Sequence, residues 1–361
     1  MDLSDKDQKR VLVAMSGGVD SSVTAGLLRD AGYEVTGVFM CLGMSGDADS
    51  DSRGCCSPQD AADARAVAHK LGIELYVLNL ADAFAPIIEY FVDEYRHGRT
   101  PNPCVPCNAQ IKFGRLLRHA ATLGIPWVAT GHYARLLPFA GQPAIWRKSP
   151  RRKDQSYVLF GIARELLGRI LFPLGDMPDK RDVRDKARAM GLAVHDKPDS
   201  QEICFVPDND YVAYLSRRCP EALRPGRIVD SGGKVLGRHR GIAAFTIGQR
   251  KGLGLASKSP LFVTHLDVAA AEVRVGPRSE ILHRGLQATG ANWHCDVQGE
   301  FEVTVQVRYN HAGSLARVQV TGSGTFAVRF NEPVLAVTPG QAAVCYDGDR
   351  LLGGGWIESV I

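Results

Sequence analysis

The chain has 361 residues, 45% hydrophobic and 23% charged, with a formal net charge of only +4. That length predicts two or three domains with sizeable cores, and a charge this small does not by itself mark a nucleic-acid binder. The opening MDLSDKDQKR has mixed charges and no apolar centre, and no apolar run approaches the about 20 residues that span a bilayer, so a cytoplasmic protein without a membrane segment is expected.

In chain order, Val11–Met15 (VLVAM) reads as a short buried strand. Val19, Val23, Leu27 and Leu28 then fall at helical spacing up to Gly32, and EVTGVFM is the next strand. Ser57 is a plausible N-cap and Pro58 a first helical residue for a helix closing at Gly72. IELYVLNL is a strand, FAPIIEYFVDEYRHG and AQIKFGRLLRHAATLG are helices, and PWVATGH is a strand. Alternation of this kind predicts an α/β domain built on a doubly wound, mostly parallel sheet.

Near Pro220 the pattern changes to short alternating runs (FEVTVQVRYN, LARVQVTG, TFAVRFNEP, QAAVCYDGD) between turn residues, which predicts a C-terminal β-barrel. The expected domains are 1–210, a small central domain 211–281, and 282–361. Nine cysteines in a cytosolic protein do not read as a disulfide framework. Cys41, Cys219, Cys295 and Cys345 read as small core residues, and the adjacent Cys55 and Cys56 are unsuited to gripping one ion together.

The string MSGGVDSS lies where the first strand gives way to the first helix. Its glycines let consecutive N–H groups converge on an anion at a helix N-terminus, and Ser16, Ser21 and Ser22 add hydroxyls. Asp20 suits Mg²⁺ alongside a phosphate, and no lysine makes this a kinase-type phosphate loop. Ser16-Gly17-Gly18-Val19-Asp20-Ser21-Ser22 resembles the pyrophosphate loop of the PP-loop ATP pyrophosphatases. The resemblance implies ATP as cosubstrate and extends the nucleotide site to Ala14 and Met15.

GRTPNPCVPCNAQIKF, ATGHYAR, KDQSYVLF and TIGQRKGLG follow that loop in this order, with DSQEICFV between the last two. Together they resemble the tRNA-specific 2-thiouridylases (the MnmA/TrmU family) over essentially the whole chain. The resemblance implies adenylation of the wobble uridine of tRNAs for Lys, Glu and Gln at its C2 oxygen, then sulfur transfer to C2. It adds Met40 and Gly131 to the nucleotide pocket. It gives Cys204 a persulfide and Cys107 the role of attacking nucleophile, with a transient Cys107–Cys204 disulfide. Cys107 is expected just before a helix, where the macrodipole lowers a thiol pKa. It also assigns tRNA contacts to Asn102, Pro103, Cys104, His132, Lys153, Asp154, Gln155, Arg308, Tyr309 and Gln341.

One departure stands out: Cys104 occupies a position that is acidic in many thiouridylases, giving Cys-x-x-Cys. Three thiolates at Cys104, Cys107 and Cys204 suit either the persulfide relay or a [4Fe–4S] cluster with one open iron, and both routes stay open. The expected partners are tRNA and a persulfide carrier protein or sulfide source, and the expected state is a monomer. Two alternatives remain: another adenylating enzyme acting on a small metabolite, and a non-catalytic sulfur carrier. Phe245–Gly254, rich in glycine, receives no catalytic role.

Overall fold

The computed structural model describes residues 9–43, 57–198, 203–206 and 210–361. Residues 1–8, Cys55, Cys56 and part of the DSQEICFV string lie outside them. The chain divides into two compact units, one of residues up to 86, 104–209 and 349–351, the other of 87–103, 210–348 and 352–361.

In the first unit β1 (Arg10–Ala14), α1 (Val19–Asp30), β2 (Glu34–Cys41), α2 (Pro58–Leu71) and β3 (Glu74–Asn79) follow one another, as the alternation predicts. β1 lies in the middle of a five-stranded sheet in which it pairs in parallel with β2, Val11 opposite Val35. Val11, Leu12 and Val13 are wholly buried, which is why an unbroken apolar run forms a strand here. β3 is one edge strand, and Tyr76 and Val77 on it are about half exposed. α2 begins and ends where its caps predict: the Ser57 hydroxyl accepts from Asp60 N, and Gly72 adopts the left-handed conformation.

α3 (Ala81–Arg96) carries Pro86 within it. A helical run then begins at α4 (Cys104–Pro106), continues as a π-helical stretch over Cys107–Arg115, and ends as α5 (Leu116–Thr122). β4 (Trp127–Ala129) returns to the sheet beside β1. A hairpin absent from the sequence reading follows, β5 (Ala134–Phe139) and β6 (Gln142–Arg147). β7 (Ile170–Leu171) completes the sheet order β3-β2-β1-β4-β7, and α6 (Lys180–Ala189) opens on an Asp179 capping box.

The second unit contains α7 (Tyr211–Arg218) and a four-stranded sheet of β8 (Gly226–Val229), β9 (Val235–His239), β10 (Phe262–Asp267) and β11 (Glu272–Gly276). Ile228, Val263, Val273 and Val275 form its core. β12 (Leu282–Trp293), β13 (Glu300–Gln306), β14 (Ser314–Gly322), β15 (Thr325–Leu335), β16 (Ala342–Asp347) and β17 (Arg350–Val360) run in the order β12-β15-β14-β13-β16-β17. A β12–β17 pairing closes the ring, so the expected barrel forms around Leu286, Val305, Val318, Phe326 and Cys345. Cys219 and Cys345 are buried as expected, but Cys41 and Cys295 are only half-buried. Among the described residues no helix is long and apolar enough to cross a membrane.

Candidate active site

β1 ends at Ala14 and α1 starts at Val19, so residues 15–18 turn the chain over the sheet edge. Gly18 is the N-cap of α1 and has no side chain with which to satisfy the first-turn amides, which suits an anionic ligand there. Ser21 and Ser22 are buried, and their hydroxyls both donate to Gly18 O, at 3.1 and 2.8 Å. Ser21 Oγ also accepts from Ser16 N at 3.1 Å. These two serines therefore shape the loop, and Ser16 is the exposed hydroxyl.

Two glycines allow the loop its close neighbours. Gly17 sits at φ +72°, and a Cβ on it would lie 2.2 Å from Asp60 O. Lys197 Nζ bridges the same place, donating to Gly17 O at 3.0 Å, to Asp60 Oδ1 at 2.6 Å and to Asp63. Burial opposes the Lys197 charge, but the Asp60 and Asp63 carboxylates outweigh it and hold its pKa above the usual lysine value. Gly131, just past β4, packs against α1: a Cβ there would lie 2.9 Å from the Asp20 carbonyl carbon. Ala14 and Met15 are buried in the sheet and Met40 is half-buried near the end of β2.

Both carboxylate oxygens of Asp20 are engaged. Tyr133 OH donates to Oδ1 at 2.7 Å and Lys180 Nζ to Oδ2 at 2.6 Å. Neither partner follows from the loop motif. The available signal for Lys180 was its place as the first residue of a capped amphipathic helix after Met-Pro-Asp. The Asp20 side chain keeps 32% exposure. One accessible carboxylate beside a phosphate loop fits Mg²⁺, which commonly takes one or two carboxylates plus substrate phosphates and water.

The cysteines are placed differently from expectation. Cys107 does not precede a helix; it lies one turn inside a helical run that begins at Cys104. Pro106 is the reason: its φ of −63° is already helical, and in a first turn the N–H it lacks has no intrahelical acceptor anyway. Cys104 is exposed, Cys107 is buried and Cys204 is half-buried. Asn108 ties the π-helical stretch to the segment after Gln155 by donating to Val158 O at 3.0 Å, and Gly161 admits Val105 to the same packing. Phe205, next to Cys204, packs edge-on to Phe84 at 5.6 Å. Among the described residues no group of three or more His, Cys, Asp or Glu is arranged to hold a metal ion. Cys104, Cys107 and Cys204 are thus not gathered as a metal site in this structure.

His132 is buried between Phe113 and Phe172, with Thr130 Oγ1 2.6 Å from its Nδ1. Burial, helped by the Lys112 charge, holds its pKa well below the usual histidine value, so the ring is neutral at neutral pH. In Lys153-Asp154-Gln155 only Lys153 is exposed, at φ +63°. Asp154 accepts from Lys148 N and from the Ser156 hydroxyl, and Gln155 exchanges two hydrogen bonds with the Tyr133 backbone. In the second unit Arg308 donates to Leu335 O while Tyr309 is 42% exposed. Gln341 donates to Thr100 O and Pro101 O, bracing the backbone just ahead of Asn102 and Pro103.

A glycine-rich loop at the first strand–helix junction of a parallel sheet, the place where phosphate-bearing ligands bind in such folds, stands in one unit with Cys104, Cys107 and Cys204. Family models agree on the architecture: one described as the tRNA methyl transferase HUP domain matches residues 9–208, a PRC-barrel domain 212–277, and an aminomethyltransferase β-barrel domain 283–357. The tRNA-specific 2-thiouridylase MnmA of Carboxydothermus hydrogenoformans is 49% identical, with 97% of this chain and 98% of that protein covered. MnmA of Geobacter metallireducens is 46% identical with 99% of each covered, and that of Clostridium acetobutylicum 44% identical with 97% and 99% covered. The chain belongs to the tRNA-specific 2-thiouridylase family, whose members are tRNA sulfurtransferases.

Proposed function

We propose that the chain catalyses ATP-dependent 2-thiolation of the wobble uridine of tRNAs for Lys, Glu and Gln, yielding 2-thiouridine, AMP and pyrophosphate. A carbonyl oxygen is a poor leaving group, so the C2 oxygen first attacks the α-phosphorus of ATP held by the Ser16–Ser22 loop, and pyrophosphate departs. Mg²⁺, bound with ATP, would neutralise phosphate charge, and Asp20 is the carboxylate to hold it. The terminal sulfur of a Cys204 persulfide then attacks C2 and the oxygen leaves with AMP. Cys107 thiolate attacks the Cys204 sulfur, leaving C2=S on the base and a Cys107–Cys204 disulfide that a thiol reductant resets. The target base must leave its stack for C2 to be reached, and Asn102, Pro103 and Cys104 border it.

Backbone contacts come from the exposed Lys153 and Tyr309, while Asp154, Gln155, Arg308 and Gln341 hold those loops in shape. His132, being neutral, serves the base and not a phosphate. The sulfur source is a persulfide carrier protein, the location the cytoplasm, and the working form a monomer of catalytic, central and barrel domains split near 210 and 281. What carries the reading is the combination of a braced phosphate loop with Cys104, Cys107 and Cys204 in one unit, in a chain whose relatives at near full length are named 2-thiouridylases.

The test is single-turnover thiolation of unmodified tRNA with ATP and a persulfide donor, with AMP and 2-thiouridine both quantified. Cys204→Ser should still adenylate tRNA but not thiolate it. AMP formation without any tRNA requirement would instead point to a small-metabolite substrate. The second reading, a [4Fe–4S] cluster on Cys104, Cys107 and Cys204 that takes sulfide, rests on the Cys-x-x-Cys departure. About four irons per chain after anaerobic purification, lost in Cys104→Ala, would select it.

A further inference from the structure

Tyr133 joins the glycine-rich loop to the segment that carries Lys153. The residue is 3% exposed, its ring packs in the core around β1 and α1, and its hydroxyl donates to Asp20 Oδ1 at 2.7 Å. Its backbone is clamped to Gln155 in both directions: Tyr133 N donates to Gln155 Oε1 and Gln155 N donates to Tyr133 O, each at 2.9 Å. Just before this clamp, Arg152 and Lys153 are exposed in a turn closed by Asp154 N donating to Arg151 O at 3.0 Å. The Asp154 carboxylate fixes the other side of the turn, accepting from Lys148 N at 2.8 Å and from the Ser156 hydroxyl at 2.7 Å. An exposed basic turn and the carboxylate of the glycine-rich loop are therefore two hydrogen-bonded steps apart, with Tyr133 as the shared member.

We propose that Tyr133 is a positioning residue that couples the two ligands: through Gln155 it makes the turn at Lys153 and the carboxylate of Asp20 order together, so that tRNA and ATP bind cooperatively. The inference rests on the reading that the Ser16–Ser22 loop holds ATP and that Lys153 meets the tRNA backbone. A phenol is a stiff lever, because two torsions place its hydroxyl and burial of the ring fixes both. A shift of the 133 backbone therefore moves the hydroxyl, and with it the carboxylate whose other oxygen Lys180 holds at 2.6 Å. A phosphate contact at Lys153 orders the turn and, through the two Gln155 bonds, the 133 backbone. ATP then meets an Asp20 that is already held and loses less ordering entropy on binding. By linkage, ATP tightens tRNA by the same factor. Adenylation in this way waits for its acceptor uridine.

The test uses calorimetry on the full chain with unmodified tRNA and an ATP analogue that cannot be cleaved between the α- and β-phosphates. Affinity for each ligand is measured alone and with the other saturating. The wild type should show one factor in both directions, a tightening of about 5- to 150-fold. Tyr133→Phe keeps the ring and removes only the hydroxyl; it should bring both factors to within about twofold of unity, with each ligand alone bound within about threefold of wild type. Gln155→Met leaves the phenol in place and cuts the side-chain bond to Tyr133 N. It should lose most of the coupling too, and the double variant should lose no more than Tyr133→Phe. A hydroxyl that only stabilised the fold would lower the melting temperature of Tyr133→Phe and leave the coupling factor at its wild-type value, which overturns the proposal. So does a large loss of either ligand's binding on its own, which would make Tyr133 part of that ligand's site. If the wild-type chain binds no ATP analogue or no tRNA, the reading of the site fails and takes the proposal with it; a wild type that binds both without coupling refutes the proposal alone.

Discussion

Gly131→Ala is the sharpest perturbation of the nucleotide site available without touching a polar group. Gly131 is not in the left-handed region, so alanine meets no backbone penalty there and the effect is one of space alone. The added methyl would lie 2.9 Å from the Asp20 carbonyl carbon and Cβ and 3.0 Å from Ser21 N, against 3.4 Å for ordinary contact. The first turn of α1 and the 130–132 segment must part by about half an ångström, and both are backbone, so no flexible side chain absorbs the shift. Overpacking of this kind costs about 1–3 kcal/mol, or roughly 2–12 °C in melting temperature for a unit of this size. Displacing Asp20 also misplaces the reacting phosphate, which is expected to lower adenylation by about 10- to 100-fold. The assay is a thermal melt paired with tRNA-dependent AMP formation. Gly18→Ala is the control from the same motif, because its methyl would meet only Ser16 Oγ at 3.5 Å. Wild-type melting and wild-type adenylation in Gly131→Ala would refute the packing argument; a lowered melt with undiminished adenylation would refute the placement of Asp20 in the site.

Neutral, buried His132 refuses a proton that the unfolded chain accepts below about pH 6.5, so stability is retained above that pH and falls by up to about 1.4 kcal/mol per unit as pH drops toward its depressed folded pKa. Urea denaturation at a series of pH values should show that slope in the wild type and a smaller one in His132→Asn. Lys153→Gly should relieve the φ +63° conformation and stabilise the fold by about 0.5–1 kcal/mol, yet weaken tRNA binding and lower its salt dependence by about one ion; melting and binding measured at several salt concentrations check both signs. Lys197→Met leaves Asp60 and Asp63 facing each other beside Gly17 O, and a loss of about 1–3 kcal/mol with weaker ATP binding is expected from melts and calorimetry. Cys104→Ser should retain thiolation from a persulfide donor if the relay runs on Cys107 and Cys204, and a complete loss with loss of iron would select the cluster.

Much of this protein is written in local pattern. The unbroken apolar run at Val11, the caps at Ser57 and Gly72, and the alternation in the barrel strands are short-range signals, and each element formed where its signal lies. One local signal misled. The prolines around Cys104 and Cys107 suggested a loop, but Pro106 in a first turn is as compatible with a helix, and the run begins at Cys104. The hydroxyls of Ser21 and Ser22 in the glycine-rich loop both donate to Gly18 O, a contact the motif alone does not reveal.

By itself, then, the sequence determined the strand–helix alternation of the first unit, the glycine-rich turn after β1 and the alternating barrel strands, because those depend on neighbours a few residues apart. Tertiary structure alone decided which groups face Asp20. Lys180 is 160 residues away and Tyr133 is 113, and neither has a spacing that any helical or strand period could reveal. Their partnership exists because the parallel sheet sets β4 beside β1 and the fold brings the start of α6 to the same place, where a carboxylate, a phenol and an ammonium satisfy one another partly shielded from water.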